Sequence, residues 1–256
     1  MNYKAALIGY SGFVGSSLMK QSDNHFTHLY NSTNIEDIAG EGFDLVVCAG
    51  APAQKWIANK EPVKDTATIG RLMRCLSTVD ASMFVLISTV DVYGDQVSNG
   101  ATYADENTYI ELEDLHAYGL NRYNLETFVR GRYEERAQIL RLPGLVGPGL
   151  RKNIIYDLKH DNNIGAINGS NVYQFYPMNN LWKDINLTRN IGLTNLSTEP
   201  ISAAQVAEIF GKTVPSGIPT ADYDMRSIAA KPFMKKDDYW YSKQEVIEAI
   251  TEYKNS

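Results

Sequence analysis

A four-residue apolar run, Ala5-Ala6-Leu7-Ile8, passes directly into Gly9-Tyr10-Ser11-Gly12-Phe13-Val14-Gly15, and a helix-forming stretch follows. Glycines at every third position between a strand and a helix permit a tight turn and a close approach of backbone to a bound group. The N-terminus of the following helix aims free N–H donors and a partial positive charge at that group, which suits an anion such as phosphate. The usual dinucleotide fingerprint is spaced G-x-G-x-x-G, whereas this chain reads G-x-x-G-x-x-G. Its place at the first strand-to-helix turn therefore carries the reading, because a bare glycine loop is as often structural.

The rest of the chain supplies the frame such a turn needs. Strand-like runs stand at Ala5–Ile8, Phe26–Tyr30, Asp44–Cys48, Phe84–Ser88 and Gln138–Leu142. Several are continuously apolar, as expected of strands covered on both faces by helices. Helical patterns lie between them near Val14–Lys20, Val63–Leu76 and Leu115–Arg130. This alternation predicts an α/β chain with a doubly wound parallel sheet (Rossmann) and right-handed crossovers. After Pro143 the elements shorten and prolines punctuate them, while Ser202-Ala203-Ala204-Gln205 and Ser242-Lys243-Gln244-Glu245 read as capping boxes that open helices. The expected plan is a dinucleotide-binding domain over residues 1–150, with part of 172–196 returning to it, and a smaller C-terminal substrate lobe over 151–256. Ligand is expected in the crevice at the carboxyl ends of the strands.

Composition narrows the function. With 24 basic against 30 acidic residues the formal charge is −6, and no basic run suggests a nucleic-acid surface. Apolar stretches such as Met83-Phe84-Val85-Leu86-Ile87 are far too short to span a bilayer, and the N-terminus enters a strand without a cleavable signal pattern, so a cytoplasmic location is expected. Cys48 and Cys75 read as apolar filling rather than a disulfide or zinc framework, and the four histidines are scattered, so no metal is expected.

Chemistry concentrates at strand ends. The run Phe84–Ser88 ends in Thr89-Val90-Asp91-Val92-Tyr93-Gly94, and His116-Ala117-Tyr118-Gly119-Leu120-Asn121-Arg122 follows within a helical pattern. Positions 118 and 122 share a helix face, which sets a phenol beside a cation. A phenol titrates near ~10, and a neighbouring positive charge lowers that value toward a usable base. The Thr89 hydroxyl could bond the same substrate oxygen. Taken singly these features are ordinary: the chain has 16 tyrosines, and Ser88 and Thr89 could simply end a strand. Their order at matching ends of consecutive elements is what distinguishes them.

The set Gly9/Gly12/Gly15, Val47-Cys48-Ala49-Gly50-Ala51, Ile87-Ser88-Thr89-Val90-Asp91-Val92-Tyr93-Gly94, Tyr118-x-x-x-Arg122 and Leu140-Arg141-Leu142-Pro143-Gly144-Leu145-Val146-Gly147-Pro148-Gly149 resembles the extended short-chain dehydrogenase/reductase family. This is the NAD-dependent epimerase/dehydratase group that acts on nucleotide-activated sugars. The clear matches cover roughly residues 5–153, with a weaker echo at Tyr173-Gln174-Phe175-Tyr176 and Leu181-Trp182-Lys183-Asp184-Ile185. The resemblance implies that Gly9, Gly12 and Gly15, with backbone of Phe13 and Val14, hold the dinucleotide pyrophosphate. Tyr30-Asn31-Ser32 would face the adenosine ribose and Asn34-Ile35 the adenine. Ala49, Gly50 and Ala51 would line the cofactor, and Pro143 would lie near the nicotinamide amide. Tyr118 would be the general acid/base, Thr89 its hydroxyl partner, and Arg122 would stand where lysine normally holds the nicotinamide ribose and depresses the phenol. Asp91, Tyr118, Asn153 and Arg151 would face a nucleotide-sugar substrate; apart from the resemblance, Arg226 and Tyr176 are candidates to touch the ligand, with a surface role for each as the equal alternative. A homodimer through helices that include the one bearing Tyr118 is common among such relatives.

Three departures refine the expectation. Arginine at 122 keeps the charge but offers a wide, always-protonated fork. The Asp-Glu pair that follows the threonine in dehydratases is Val90-Asp91 here, which favours epimerisation or keto-reduction over dehydration. Asn31 replaces the acid that usually binds a ribose 2′-OH, and no Arg or Lys stands beside it to receive a 2′-phosphate, which favours NAD and leaves NADP as the alternative. The implied reaction is reversible oxidation of a sugar hydroxyl with Tyr118 deprotonated by its cationic surroundings. The competing reading is a dinucleotide-binding protein without turnover, a redox sensor or partner subunit, motivated by Arg122.

Overall fold

Strand β1 (Ala5–Ile8) is buried along its whole length in a computed structural model of the chain, which describes residues 3–96, 103–233 and 238–256. It is flanked by β2 (His28–Tyr30) and β3 (Leu45–Cys48), both parallel to it, in registers Leu7↔Leu29 and Leu7↔Val47. With β4 (Phe84–Thr89), β5 (Ala137–Leu142) and β6 (Leu193–Asn195) these form a six-stranded parallel sheet of order β6-β5-β4-β3-β1-β2. The expected continuous apolar runs are the strands themselves, and each fully buried Val, Leu or Ile contributes roughly 1.5–3 kcal/mol by leaving water.

Helices cover the sheet. Helix α1 (Phe13–Gln21) packs on α6 (Leu181–Leu187), and the Trp182 N–H donates to Gln21 Oε1 at 3.0 Å. Short α2 (Lys55–Lys60), α3 (Pro62–Leu76) and α4 (Ala117–Tyr133) pack on one another. The order reverses between β2 and β3 on either side of β1, and that switch point is where such sheets open a crevice beyond their carboxyl ends. Cys48 and Cys75 are free thiols in the interior, and burial pushes the Cys48 thiol up to about 11.

The chain divides into two compact units. The first comprises Met1–Gly94, Ile110–Arg141 and Asn180–Thr194; the second comprises Asp95–Tyr109, Leu142–Asn179 and Asn195–Ser256. A boundary at residue 150 therefore misplaces two stretches. Segment 95–109 belongs to the second unit because the Glu106 carboxylate binds the Asn195 N–H (2.7 Å), the Ser227 hydroxyl (2.6 Å) and the Ile228 N–H (2.9 Å). Residues 144–146 belong there too, pairing in parallel with Phe175–Pro177. Segment 180–194 lies in the first unit, where it supplies α6 and most of the edge strand β6. Within the second unit, α7 (Ala203–Ile209) and α8 (Lys243–Asn255) each open on a complete capping box, at Ser202/Gln205 and Ser242/Glu245.

Candidate functional site

Glycine is required at the first turn. Gly9 has φ +84°, and a Cβ there would stand 2.3 Å from the Ala49 carbonyl oxygen, so the ends of β1 and β3 meet backbone to backbone at the switch point. A Cβ at Gly15 would stand 2.1 Å from the Gly9 oxygen. At Gly12 the nearest atom would be 3.3 Å away, and this exposed residue is the N-cap of α1. No side chain caps α1, so the helix start with half-buried Phe13 and Val14 presents backbone donors, as an anion cradle needs. Ala49, Gly50 and Ala51, half-buried after β3, stand beside the turn.

Tyr118 occupies the first turn of α4, and its N–H is taken by Asn59 Oδ1 at 3.0 Å. Gly119 lets the helix come close, since a Cβ there would lie 2.4 Å from the Asp91 carbonyl oxygen. This approach brings the helix that carries the phenol against the loop that follows Thr89 at the end of β4. Thr89 Oγ1 donates to Asp91 Oδ2 at 3.0 Å and accepts from the Asp91 N–H at 3.1 Å. Lys55 Nζ on α2 closes the group with an ion pair to Asp91 Oδ1 at 2.5 Å.

The phenol is not lowered, contrary to expectation. Burial, with the Asp91 carboxylate second, pushes it up to about 12, and Arg122, Lys55 and Thr89 only partly offset this. Tyr118 is 8% exposed, so desolvation of its ionised form outweighs the nearby cations. The resting group is a neutral phenol.

Arg122 shares the Tyr118 face, its guanidinium carbon 3.9 Å from the ring centre. Its hydrogen bonds, however, run to Asp65 on α3 and to the Pro52 carbonyl, with a third to the Tyr118 carbonyl at 3.3 Å. Asp65 also accepts from Asn121 Nδ2 at 2.7 Å. Arg122 and Asp65 are 3% and 6% exposed, so the arginine neutralises a buried acid, and its Nε is buried without a partner.

At the end of β2, Asn31 and Asn34 shape a local turn. Asn31 Oδ1 accepts from Thr33 at the amide (2.8 Å) and the hydroxyl (2.7 Å), while Asn34 Oδ1 accepts from the Asn31 N–H at 2.8 Å. Ser32 is exposed, and the Ile35 side chain is in the core. The absence of a cation beside Asn31 holds only in sequence. Arg71 on α3 reaches this turn, donating to the Ser32 carbonyl at 3.1 Å while forming a bidentate pair with Glu36 at 2.6 and 2.7 Å.

Pro143, Arg151 and Asn153 belong to the second unit. Pro143 is buried and Arg151 exposed. Asn153 caps helix α5 (Ile154–Lys159), accepting from Ile155 and Tyr156 amides and donating to the Leu145 carbonyl at 2.9 Å. Tyr176 is fully buried and so presents no surface to a ligand, and Arg226 is paired with Asp224 at 2.9 Å. The residues not anticipated are Lys55, Asp65 and Arg71. Each comes from a helix remote in sequence from its partner, and no local spacing announces such contacts.

No protein-family model matches the chain, and comparison with curated proteins gives no match. Comparison with solved structures gives many. UDP-glucose 4-epimerase of Thermotoga maritima is 16% identical with a TM-score of 0.75, over 98% of this chain and 97% of that one. A dTDP-4-dehydrorhamnose reductase of Yersinia enterocolitica is 13% identical with a TM-score of 0.74, over 99% of each chain. WbmG of Bordetella bronchiseptica, solved in complex with NAD and UDP, is 17% identical with a TM-score of 0.72, over 98% and 92%. The chain has the fold that these enzymes share.

Proposed function

We propose that the chain is an NAD-dependent oxidoreductase or epimerase acting on a hydroxyl or ketone of a nucleotide-activated sugar, with Tyr118 as the group that gives and takes the proton. The observation that carries this reading is the buried Tyr118 ring under the Arg122 guanidinium, on a helix that Gly119 seats against Asp91, in the same unit as the glycine turn. Support comes also from the fold shared with sugar-nucleotide enzymes, one of them bound to NAD and UDP. Gly9, Gly12 and Gly15 with the amides of Phe13 and Val14 would hold the pyrophosphate; Asn31, Ser32 and Asn34 would face the adenosine end; Ala49, Gly50, Ala51 and Pro143 would line the remainder. Bound there, a nicotinamide dinucleotide supplies hydride chemistry that no side chain can.

The residues of the chain supply the proton. A neutral phenol is ready to donate to a ketone oxygen as it becomes an alcohol, and the Thr89 hydroxyl would steady the developing charge on that oxygen. Asp91, Asn153 and Arg151 are proposed to face the sugar nucleotide. Val90 in place of an acid keeps the reaction at redox and proton transfer rather than loss of water.

The test combines binding with turnover. The purified chain should bind NAD, titrated by calorimetry, and interconvert or reduce members of a panel of UDP- and dTDP-sugars and their 4-keto forms. Stoichiometric consumption of NADH, followed at ~340 nm, marks a reductase; turnover without net consumption marks an epimerase. Tyr118→Phe should lower kcat at least ~100-fold with NAD affinity kept. Unchanged turnover in that variant overturns the assignment.

The engagement of Arg122 with Asp65 favours one second reading, a dinucleotide-binding protein without turnover. Tight NAD binding with no turnover across the panel would establish it.

A further inference from the structure

We propose that Asp65 is a positioning residue for dinucleotide binding: it aims the Arg122 guanidinium at the Pro52 carbonyl, and so fixes the loop after β3 that lines the cofactor. This inference rests on the nicotinamide dinucleotide proposed above, and it holds whether or not the bound dinucleotide is turned over.

The aim follows from the shape of the side chain. A guanidinium is a rigid planar fork, so fixing one Nη fixes the direction of the other. Arg122 Nη1 donates to Asp65 Oδ2 and, at 3.3 Å, to the Tyr118 carbonyl, while Nη2 donates to the Pro52 carbonyl. Asp65 is itself held. Its Oδ2 also accepts from Asn121 Nδ2 at 2.7 Å, and Asn121 Oδ1 accepts from the Thr66 hydroxyl at 3.2 Å. The string Thr66–Asn121–Asp65 therefore orients the carboxylate, the carboxylate orients the fork, and the fork holds a carbonyl of the loop. Both charged side chains are almost wholly buried, so the arginine acts on a ligand through the loop rather than by touching it.

The loop it grips is the one the cofactor needs. It starts at Ala49, whose carbonyl meets Gly9 of the glycine turn backbone to backbone, and it runs through Gly50, Ala51 and Pro52 to α2. The far end is tied to the same helix as Arg122, because Asn59 on α2 accepts the Tyr118 N–H at 3.0 Å. Arg122 thus holds the loop between two fixed ends. Its guanidinium carbon also lies 3.9 Å from the centre of the Tyr118 ring, so one group sets the loop relative to the phenol. Lysine here would offer a single compact ammonium, which cannot hold Asp65 and Pro52 at a fixed angle to one another. A loop already shaped for its ligand binds more tightly, because less ordering is left to the binding step.

Paired calorimetric titrations of ADP and NAD test it. ADP carries only the adenosine end and the pyrophosphate, which the β2 turn and the glycine turn would hold. NAD also fills the part that the loop would line. Asp65→Asn keeps the shape of the side chain but leaves the guanidinium without its charge partner. Its dissociation constant for NAD should rise roughly tenfold or more, while that for ADP stays within about threefold of native. Arg122→Lys keeps a charge opposite Asp65 and should show the same split; it carries the test where Asp65→Asn does not fold. Equal losses for ADP and NAD would make Asp65 a support of the fold alone. Native NAD affinity in either folded variant would show that the fork does not set the loop. Each of these results overturns the inference and leaves the proposed function standing. If the native protein binds no NAD, the proposed function falls and the positioning role falls with it.

Discussion

The Arg122 guanidinium lies 3.9 Å from the centre of the Tyr118 ring, yet it spends its hydrogen bonds on Asp65 and the Pro52 carbonyl. The pair Arg122–Asp65 joins α4 to α3 with both side chains almost wholly out of water. Breaking such a pair leaves one buried charge uncompensated. Arg122→Met should therefore destabilise the fold by about 3–5 kcal/mol in urea unfolding. Arg122→Lys keeps the charge but loses the fork that reaches both partners, a loss of about 1–2 kcal/mol. Adding Asp65→Asn to Arg122→Met should recover a large part of the deficit; independent, additive losses would mean that the two residues are not energetically coupled.

The raised Tyr118 phenol links folding to alkaline pH. Below about 10 the folded and unfolded chains both hold this proton, so its contribution is complete. Between there and about 12 the unfolded chain releases it while the folded chain keeps it, so stability falls as pH rises. The full difference is about 2–3 kcal/mol. Native stability should fall across this window more steeply than that of Tyr118→Phe, measured by urea midpoints at matched pH. Parallel curves would show that the phenol titrates normally in the fold. Tyr133, also raised by burial, is common to both proteins and drops out of the difference.

Local signals account for much of what was readable in the sequence. The glycine turn, the one-turn spacing of Tyr118 and Arg122, and both capping boxes are set within a few residues, and the structure has each of them. Central strands were legible because continuous apolar runs have few other uses in an α/β chain. The edge strand β6, three residues long, and α2, six residues long, carry too little periodicity to read. Charge partners were illegible for a different reason. Arg122 and Asp65 are 57 positions apart, and Lys55 and Asp91 are 36 apart, so only the packing of α2, α3 and α4 decides who meets whom. The expected drop in the phenol failed on this point: sequence shows a neighbouring cation but neither its counter-ion nor the burial of the phenol.

Cofactor preference should respond to Glu36, which acts on the expected adenosine end only through Arg71. Arg71 stands at the β2 turn but is held by Glu36, whose carboxyl it keeps below the usual range. Glu36→Gln weakens that hold and frees the guanidinium for a 2′-phosphate, for which arginine is well suited. The ratio of NADP to NAD affinity should rise about tenfold in paired calorimetric titrations. An unchanged ratio would place the adenosine end of the dinucleotide away from this turn.

A second buried ion pair lies further along α4 and separates support from chemistry. Glu126 is fully buried and receives Arg141 through Nε at 3.0 Å and Nη2 at 2.7 Å, with the Ser88 hydroxyl on the same carboxylate at 2.6 Å. Arg141 in turn donates to the Tyr93 hydroxyl at 2.8 Å, so one network ties α4, β5 and the end of β4 together. Ser88 directly precedes Thr89, which makes this network the rear anchor of the residues that surround the phenol. Glu126→Ala leaves Arg141 buried and unpaired and should cost about 3–5 kcal/mol in urea unfolding. Glu126→Gln retains the shape and the acceptor for Ser88, and should cost less, about 1–3 kcal/mol, because charge is lost but one hydrogen bond remains. Where Glu126→Gln remains folded, kcat should fall through misplacement of Thr89, while the pH dependence of the rate stays native. A shifted pH profile with an unchanged melting temperature would instead make Glu126 a participant in proton transfer.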